Sequence, residues 1–216
     1  MALIMYFTRI PRYKNILTDE YETIPRDDIV LIEKYFNWKR VRETGNQYNC
    51  DSLEDWCGIP ESKLPHKYVV NYYRDFYTPK KQYVEYVGEV EGYSLFEQLA
   101  RFAKVNQVFN WFIKNVMGGK VDQEYYEVTK KQFEELLGAC NKVRSGFTNI
   151  GEDEYTINEE LAKEYLPLME EQGYMFGLKE YSSYYAVQVI EMIDIISNIL
   201  DTTDFEKQTV YFNAIW

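Results

Sequence analysis

Both ends of this chain are apolar, and that constrains its fold more than any other feature. Met1-Ala2-Leu3-Ile4-Met5-Tyr6-Phe7 opens the sequence and the stretch from Phe205 to Trp216 closes it. Both alternate in the manner of strands. A lone strand leaves its backbone donors and acceptors unpaired, so each end needs a sheet to join. Strands over 2–10 and 205–216 lying side by side would bury both ends at once.

Between them the pattern alternates helix and strand. Ile29, Ile32, Tyr35 and Phe36 keep helical spacing over 26–42. Ser52-Leu53-Glu54-Asp55 reads as a capped turn. Residues 67–73 and 82–87 read as a hairpin about Thr78-Pro79-Lys80. Ser94 and Glu97 form a capping-box pair, predicting a helix from 94 to 117 that Gly118-Gly119 stops. Its stripe of Leu95, Leu99, Phe102, Phe109, Ile113 and Val116 is interrupted by Asn106. A buried Asn must find partners or cost about 1–3 kcal/mol, so Asn106 is expected either to tie down a loop or to face a ligand.

A short strand follows over 124–128, then a helix capped by Thr129 and Gln132 that carries Phe133, Leu136 and Leu137 inward. Residues 145–155 read as loop. Asn158 caps an acidic helix running to Glu171 and interrupted near Pro167. Gly173 to Gly177 reads as an inner strand. Tyr185, Val189, Met192, Ile196 and Ile199 mark a helix over 184–200. No linker or repeat divides the 216 residues. A chain of that length buries about 70% of its unfolded surface in one core. The reading is a single α+β domain spanning 1–216, with helices packed on a mixed or antiparallel sheet.

Charge is the second constraint. The net charge is −11, and residues 151–216 carry 3 basic and 14 acidic side chains, which accounts for all of it. An acidic surface repels nucleic acid and suits a basic protein partner, or simply keeps the chain dispersed. No apolar run approaches the roughly 18 residues of a membrane span, and the opening lacks the basic start of a signal peptide. Cys50, Cys57 and Cys140 are an odd set without CxxC spacing, so reduced thiols in a cytoplasm are expected.

Catalytic grammar is sparse. Neither GxxxxGK[ST] nor GxGxxG nor GxSxG occurs, and the single His66 follows Pro65 in a loop-like stretch. Paired acids such as Glu134-Glu135 point about 100° apart on a helix and do not converge. Asp122 and Glu124 lack the ligand spacing of a calcium loop. No catalytic residue, metal ligand or cofactor is assigned, and an enzyme of unknown class stays open.

The most informative local stretch runs from Phe176-Gly177 through Tyr181-Ser182-Ser183 to Tyr184-Tyr185. It places tyrosines and serines at a helix start, where free N–H groups attract anions and rings can stack on a base. Gly177, Tyr181, Ser182, Tyr184 and Tyr185 are therefore candidate binding residues beside Asn106, with core tyrosines and ordinary Ser capping as the alternative.

The opening, the helix Arg101-Phe102-Ala103-Lys104-Val105-Asn106 through Trp111-Phe112-Ile113-Lys114-Asn115-Val116, the block from Leu166-Pro167 through Gly173 and Gly177 to Tyr184-Tyr185, and the end Tyr211 to Trp216 together resemble a family of small proteins of tailed bacteriophages and prophages. Its members typically open with MGLDMYL, carry YWRKANxIHxWF in a helix and have a GFFFG block. This chain departs at Ile4 for Asp, at Phe102-Ala103 for Trp-Arg, at Phe109 for His and at Ser182-Ser183 for Asp-Glu. The resemblance implies that the matched Asn106, Trp111, Asn115, Gly177 and Tyr185 belong to a scaffold or pocket. It also implies a counter-defence role in a bacterial cytoplasm. One route is an inhibitor that blocks a basic host defence protein, such as a CRISPR nuclease, through the acidic surface. The alternative is a sponge that sequesters a nucleotide immune signal in a Tyr-rich pocket. Neither route needs a membrane or direct contact with nucleic acid.

Overall fold

The computed structural model describes residues 2–14, 20–23, 97–169 and 176–216, with isolated positions between 27 and 63. The expected helix over 26–42, the turn over 52–57 and the hairpin over 67–87 fall outside the described residues, isolated positions apart. The chain forms two compact units, Met1–Arg9 with Gln98–Phe205 and Thr209–Trp216, and Ile10–Glu97 with Glu206–Gln208. In the second, β2 (Tyr13–Lys14) pairs antiparallel with β3 (Tyr21–Glu22), and a 3-10 turn spans Glu61–Lys63.

The first unit is an α+β fold. Its four-stranded sheet has the order β4-β1-β8-β5, with β1 at Ile4–Pro11, β4 at Glu97–Ala103, β5 at Tyr126–Val128 and β8 at Gln208–Ile215. The two chain ends do lie side by side, as the centre of the sheet. Along β1, Leu3, Met5 and Phe7 alternate inward and are fully buried. Six successive residues of β8, from Thr209 to Ala214, are buried, so both of its faces are covered. The pairing of β5 with β8 is antiparallel, Tyr126 opposite Phe212 and Val128 opposite Val210.

Among the described residues four helices accompany the sheet: α1 (Asn106–Asn115), α2 (Lys130–Arg144), α3 (Glu159–Tyr165) and α4 (Ser183–Thr202). An aromatic cluster joins helices to strands. The ring of Phe7 lies 5.2–5.9 Å from those of Phe102, Phe112, Phe133 and Phe212, and Phe112 stacks on Phe212 at 3.9 Å. Truncating such a ring costs about 3–5 kcal/mol. The stripe of Tyr185, Val189, Met192, Ile196 and Ile199 on α4 is buried throughout, at the spacing the sequence carries.

Four expectations need correction. Residues 97–103 form strand β4, not the first half of a helix. The i, i+3 step from Leu99 to Phe102 is helical and puts the two on opposite faces of a strand, but β1 needs a partner on its free edge, so sheet pairing overrides the local period. The Lys104 N–H, just past β4, donates to the Leu3 carbonyl at 3.0 Å, and the chain reverses there with Lys104 at φ +60°. Residues 147–157 form a hairpin, β6 (Phe147–Gly151) with β7 (Glu154–Ile157), in place of loop. Its strands are short and mostly polar; Asp153 at φ +55° supplies the turn. Helix α3 ends at Tyr165 and does not resume over residues 166–169, because the residue before Pro167 is driven from helical geometry. Phe176 sits in a 3-10 turn and Gly177 in irregular chain, where a strand was expected; residues 173–175 are not described. A φ of +121° at Gly177 is incompatible with an extended strand there.

Candidate functional site

The candidate residues divide between the two ends of α1. At its C-terminal end the Asn115 side-chain amide donates to the Trp111 carbonyl at 2.8 Å, and the Gln132 amide donates to the Asn115 carbonyl at 3.0 Å. Trp111 is buried, with its ring edge-on to Phe112. Both residues close the end of a helix and tie it to the capping box of α2, in which Thr129 and Gln132 satisfy each other's backbone N–H groups. Asn115 lies nine residues from Asn106, about 14 Å along the axis, and Trp111 five residues, about 8 Å.

The other end is different. Asn106 is 2% exposed, and its side-chain amide donates to the Leu178 carbonyl. The neighbouring Gln107 is fully buried and donates to the Gln188 side-chain oxygen at 3.0 Å, while the Gln188 amide reaches the Lys104 carbonyl at 3.4 Å. Three buried amides thus hold two backbone carbonyls, those of Lys104 and Leu178. Two of the amide oxygens, Asn106 Oδ1 and Gln107 Oε1, have no partner. Natural cores leave few polar atoms unpaired.

Those two carbonyls belong to segments that meet. Gly177 has φ +121°, and a Cβ there would run into the Lys104 carbonyl, so only glycine lets the backbones approach. Around this contact opens a cleft of about 530 Å³. Its lining includes Lys104, Gly177, Leu178, Lys179, Glu180 and Tyr184. The volume lies in the range of small-molecule pockets.

The tyrosines part company. Tyr185 is fully buried, and its hydroxyl donates to the Leu166 carbonyl at 2.9 Å; burial pushes its pKa well above the ordinary value. Tyr181 packs edge-on against Tyr185 at 5.1 Å, and its hydroxyl accepts from the Leu168 N–H. Tyr184 alone of the three is exposed, at 56%, and lines the cleft. Ser182 is the N-cap of α4, but its side chain makes no capping bond. Ser183 bridges to β7 instead, accepting from the Tyr155 N–H at 3.0 Å. Gly177 and Tyr184 therefore meet in the cleft with Asn106 supporting its wall, while Tyr185, Trp111 and Asn115 serve packing and helix ends.

The lysines and the glutamines were not among the candidates read from sequence. Gln188 carried a usable signal, since it falls within the apolar stripe between Tyr185 and Met192. Other titratable groups serve structure. Burial pushes the Cys140 thiol up to about 12, which removes it as a nucleophile at neutral pH. Asp122 accepts from the Tyr126 hydroxyl at 2.7 Å and from the Glu124 N–H at 3.1 Å.

A second surface lies on the outer face of α4. Tyr184, Glu191, Asp194 and Asp201 are all exposed, and the three acids, at steps of 3 and 7, share one side of a helix about 30 Å long. The helix contains no Lys or Arg. Glu191, Asp194 and Asp201 have no ion-pair partner among the described residues. Asp201 sits in the last turn, where the helix dipole disfavours negative charge. Among the described residues no helix is long and apolar enough to cross a membrane. Compared with known proteins, the chain matches no family model, no curated protein and no solved structure.

Proposed function

We propose that the protein acts by binding, and that the outer face of α4 is the surface that engages a basic partner protein. One observation carries this reading: Glu191, Asp194 and Asp201 form a stripe of acids without cations on their own helix. Such a stripe does nothing for the helix, and Asp201 costs it stability. Long-range attraction to a basic surface gives those charges a use, speeding encounter and fixing orientation. Tyr184, exposed at the start of the same helix, supplies a flat amphipathic side chain of the kind enriched in interface centres.

With the phage resemblance, this becomes a counter-defence inhibitor of a host protein, covering a face that the host uses for nucleic acid. The test is affinity capture of the tagged protein from a bacterial lysate, eluted in rising salt. A stoichiometric basic protein released at moderate salt is the expected result, because exposed charge pairs are screened within about 8–10 Å at such ionic strengths. Capture of a partner that is acidic, or that withstands high salt, contradicts a charge-led interface.

A further inference from the structure

We infer that the cleft beside Gly177 is a second binding site, for a mononucleotide-sized organic phosphate that carries a flat ring. The site shares Tyr184 with the outer face of α4 but none of its acids Glu191, Asp194 and Asp201. Its chemistry follows from its lining, which among the described residues includes the lysines Lys104 and Lys179, the carboxylate of Glu180 and the exposed ring of Tyr184. Lysine ammonium groups bind phosphate as point charges, and a tyrosine face stacks on any planar base. The first turn of α4, which contains Tyr184, adds the positive end of a helix dipole at the rim.

What marks the cleft as built is the ground beneath it. Lys104 at φ +60° and Gly177 at φ +121° are both in the left-handed half of conformational space, and they are in contact. Non-glycine residues there are strained by about 1 kcal/mol or more, and such strain gathers at binding sites. Asn106, Gln107 and Gln188 are each at least 98% buried, and their amides brace the Lys104 and Leu178 carbonyls behind the lining. An apolar core would be simpler to satisfy, since this network leaves Asn106 Oδ1 and Gln107 Oε1 unpaired. Holding two lining segments in a fixed relation is the use that justifies the network, because a pre-organised site loses less on binding. The Tyr-rich trio is not the pocket. Among the described residues its wall includes Lys104, Gly177 and Lys179, and of the three tyrosines Tyr184 is the one that lines it.

The test is titration of the full chain with adenosine 5′-monophosphate, with inorganic phosphate and adenosine run separately, followed by calorimetry and by chemical-shift changes. Saturable binding of the nucleotide is expected, weakened about 10–100-fold by Lys179→Glu and about 5–100-fold by Tyr184→Ala. Both positions are at the surface, so circular dichroism and melting of the variants should match the parent. Binding that is unchanged in both variants would place the ligand elsewhere and overturn the site. Inorganic phosphate binding as tightly as the nucleotide would overturn the ring recognition, and no saturable binding of the nucleotide would overturn the inference whole. The Lys179→Glu outcome separates this site from capture of a basic protein by α4, because Lys179 is not on the acidic face that carries that reading.

Discussion

Helices α2 and α4 both build the core of the first unit, yet they treat their charges in opposite ways. In α2 most devices favour the helix, although Lys130 and Lys131 open it and no acid lies in its first turn. Thr129 and Gln132 form a reciprocal capping box, Lys142 and Arg144 sit in the last turn, and Lys130 and Lys131 pair with Glu134 and Glu135. In α4 none does. Ser182 makes no side-chain cap bond, no acid lies in the first turn, no base lies in the last, and Asp201 opposes the dipole. The 20-residue helix is held by its buried face alone. The charges of α2 are explained by α2; those of α4 point outward, to something the helix itself does not contain.

The largest expected effect breaks α4 from the inside. Ile196 is fully buried, and Ile196→Ala should cost about 2–5 kcal/mol in urea unfolding. A loss below 1 kcal/mol would mean that α4 has support beyond its apolar stripe. Next comes alkaline pH. Cys140 of α2 and Tyr185 of α4 are both buried, and burial raises both pKa values. A group held neutral in the fold contributes stability that is intact below its unfolded pKa and is lost as pH rises through the folded one. For Cys140 that window runs from its ordinary 9.0 to about 12. The melting temperature should therefore fall across pH 9–12, and Cys140→Ala should flatten part of that fall; an identical slope in the variant would refute the assignment to the thiol.

The caps sharpen the contrast further. Thr129→Ala should destabilise by about 1 kcal/mol, whereas Ser182→Ala should stay within about 0.5 kcal/mol, since no cap bond is lost. Equal losses by differential scanning calorimetry would erase the distinction between the helices. The smallest effect has the opposite sign. Asp201→Lys should stabilise by about 0.3–1 kcal/mol, because a cation replaces an anion in the last turn. A destabilised variant would show that Asp201 serves the fold after all.

What was legible in the sequence follows the same division. The apolar stripe of α4, the Thr129 box of α2, the Asn158 cap of α3 and the pairing of the two chain ends rest on periodicity and local hydrogen bonding, and each stands in the structure. Residues 97–103 failed because the step from Leu99 to Phe102 is helical, and only pairing with the free edge of β1 overrides it. The hairpin over 147–157 failed because its outward residues, Ile150 apart, are polar and its turn depends on one left-handed Asp153. At the site, Asn106 declared itself by interrupting an apolar stripe. Lys104 and Lys179 did not, because a surface lysine carries no mark of which cleft it lines. Tyr184 and Tyr185 differ by one position in sequence and by the full depth of the core in space. That difference is set by the phase of α4, which composition does not report.

The most direct test of the account is Glu191→Lys/Asp194→Lys/Asp201→Lys, measured for both melting temperature and salt-eluted capture from bacterial lysate. The account predicts a melting temperature equal to or above that of the parent, with loss of the basic partner. A variant that melts normally and still retains that partner would contradict the assignment of the acidic face of α4 as the binding surface.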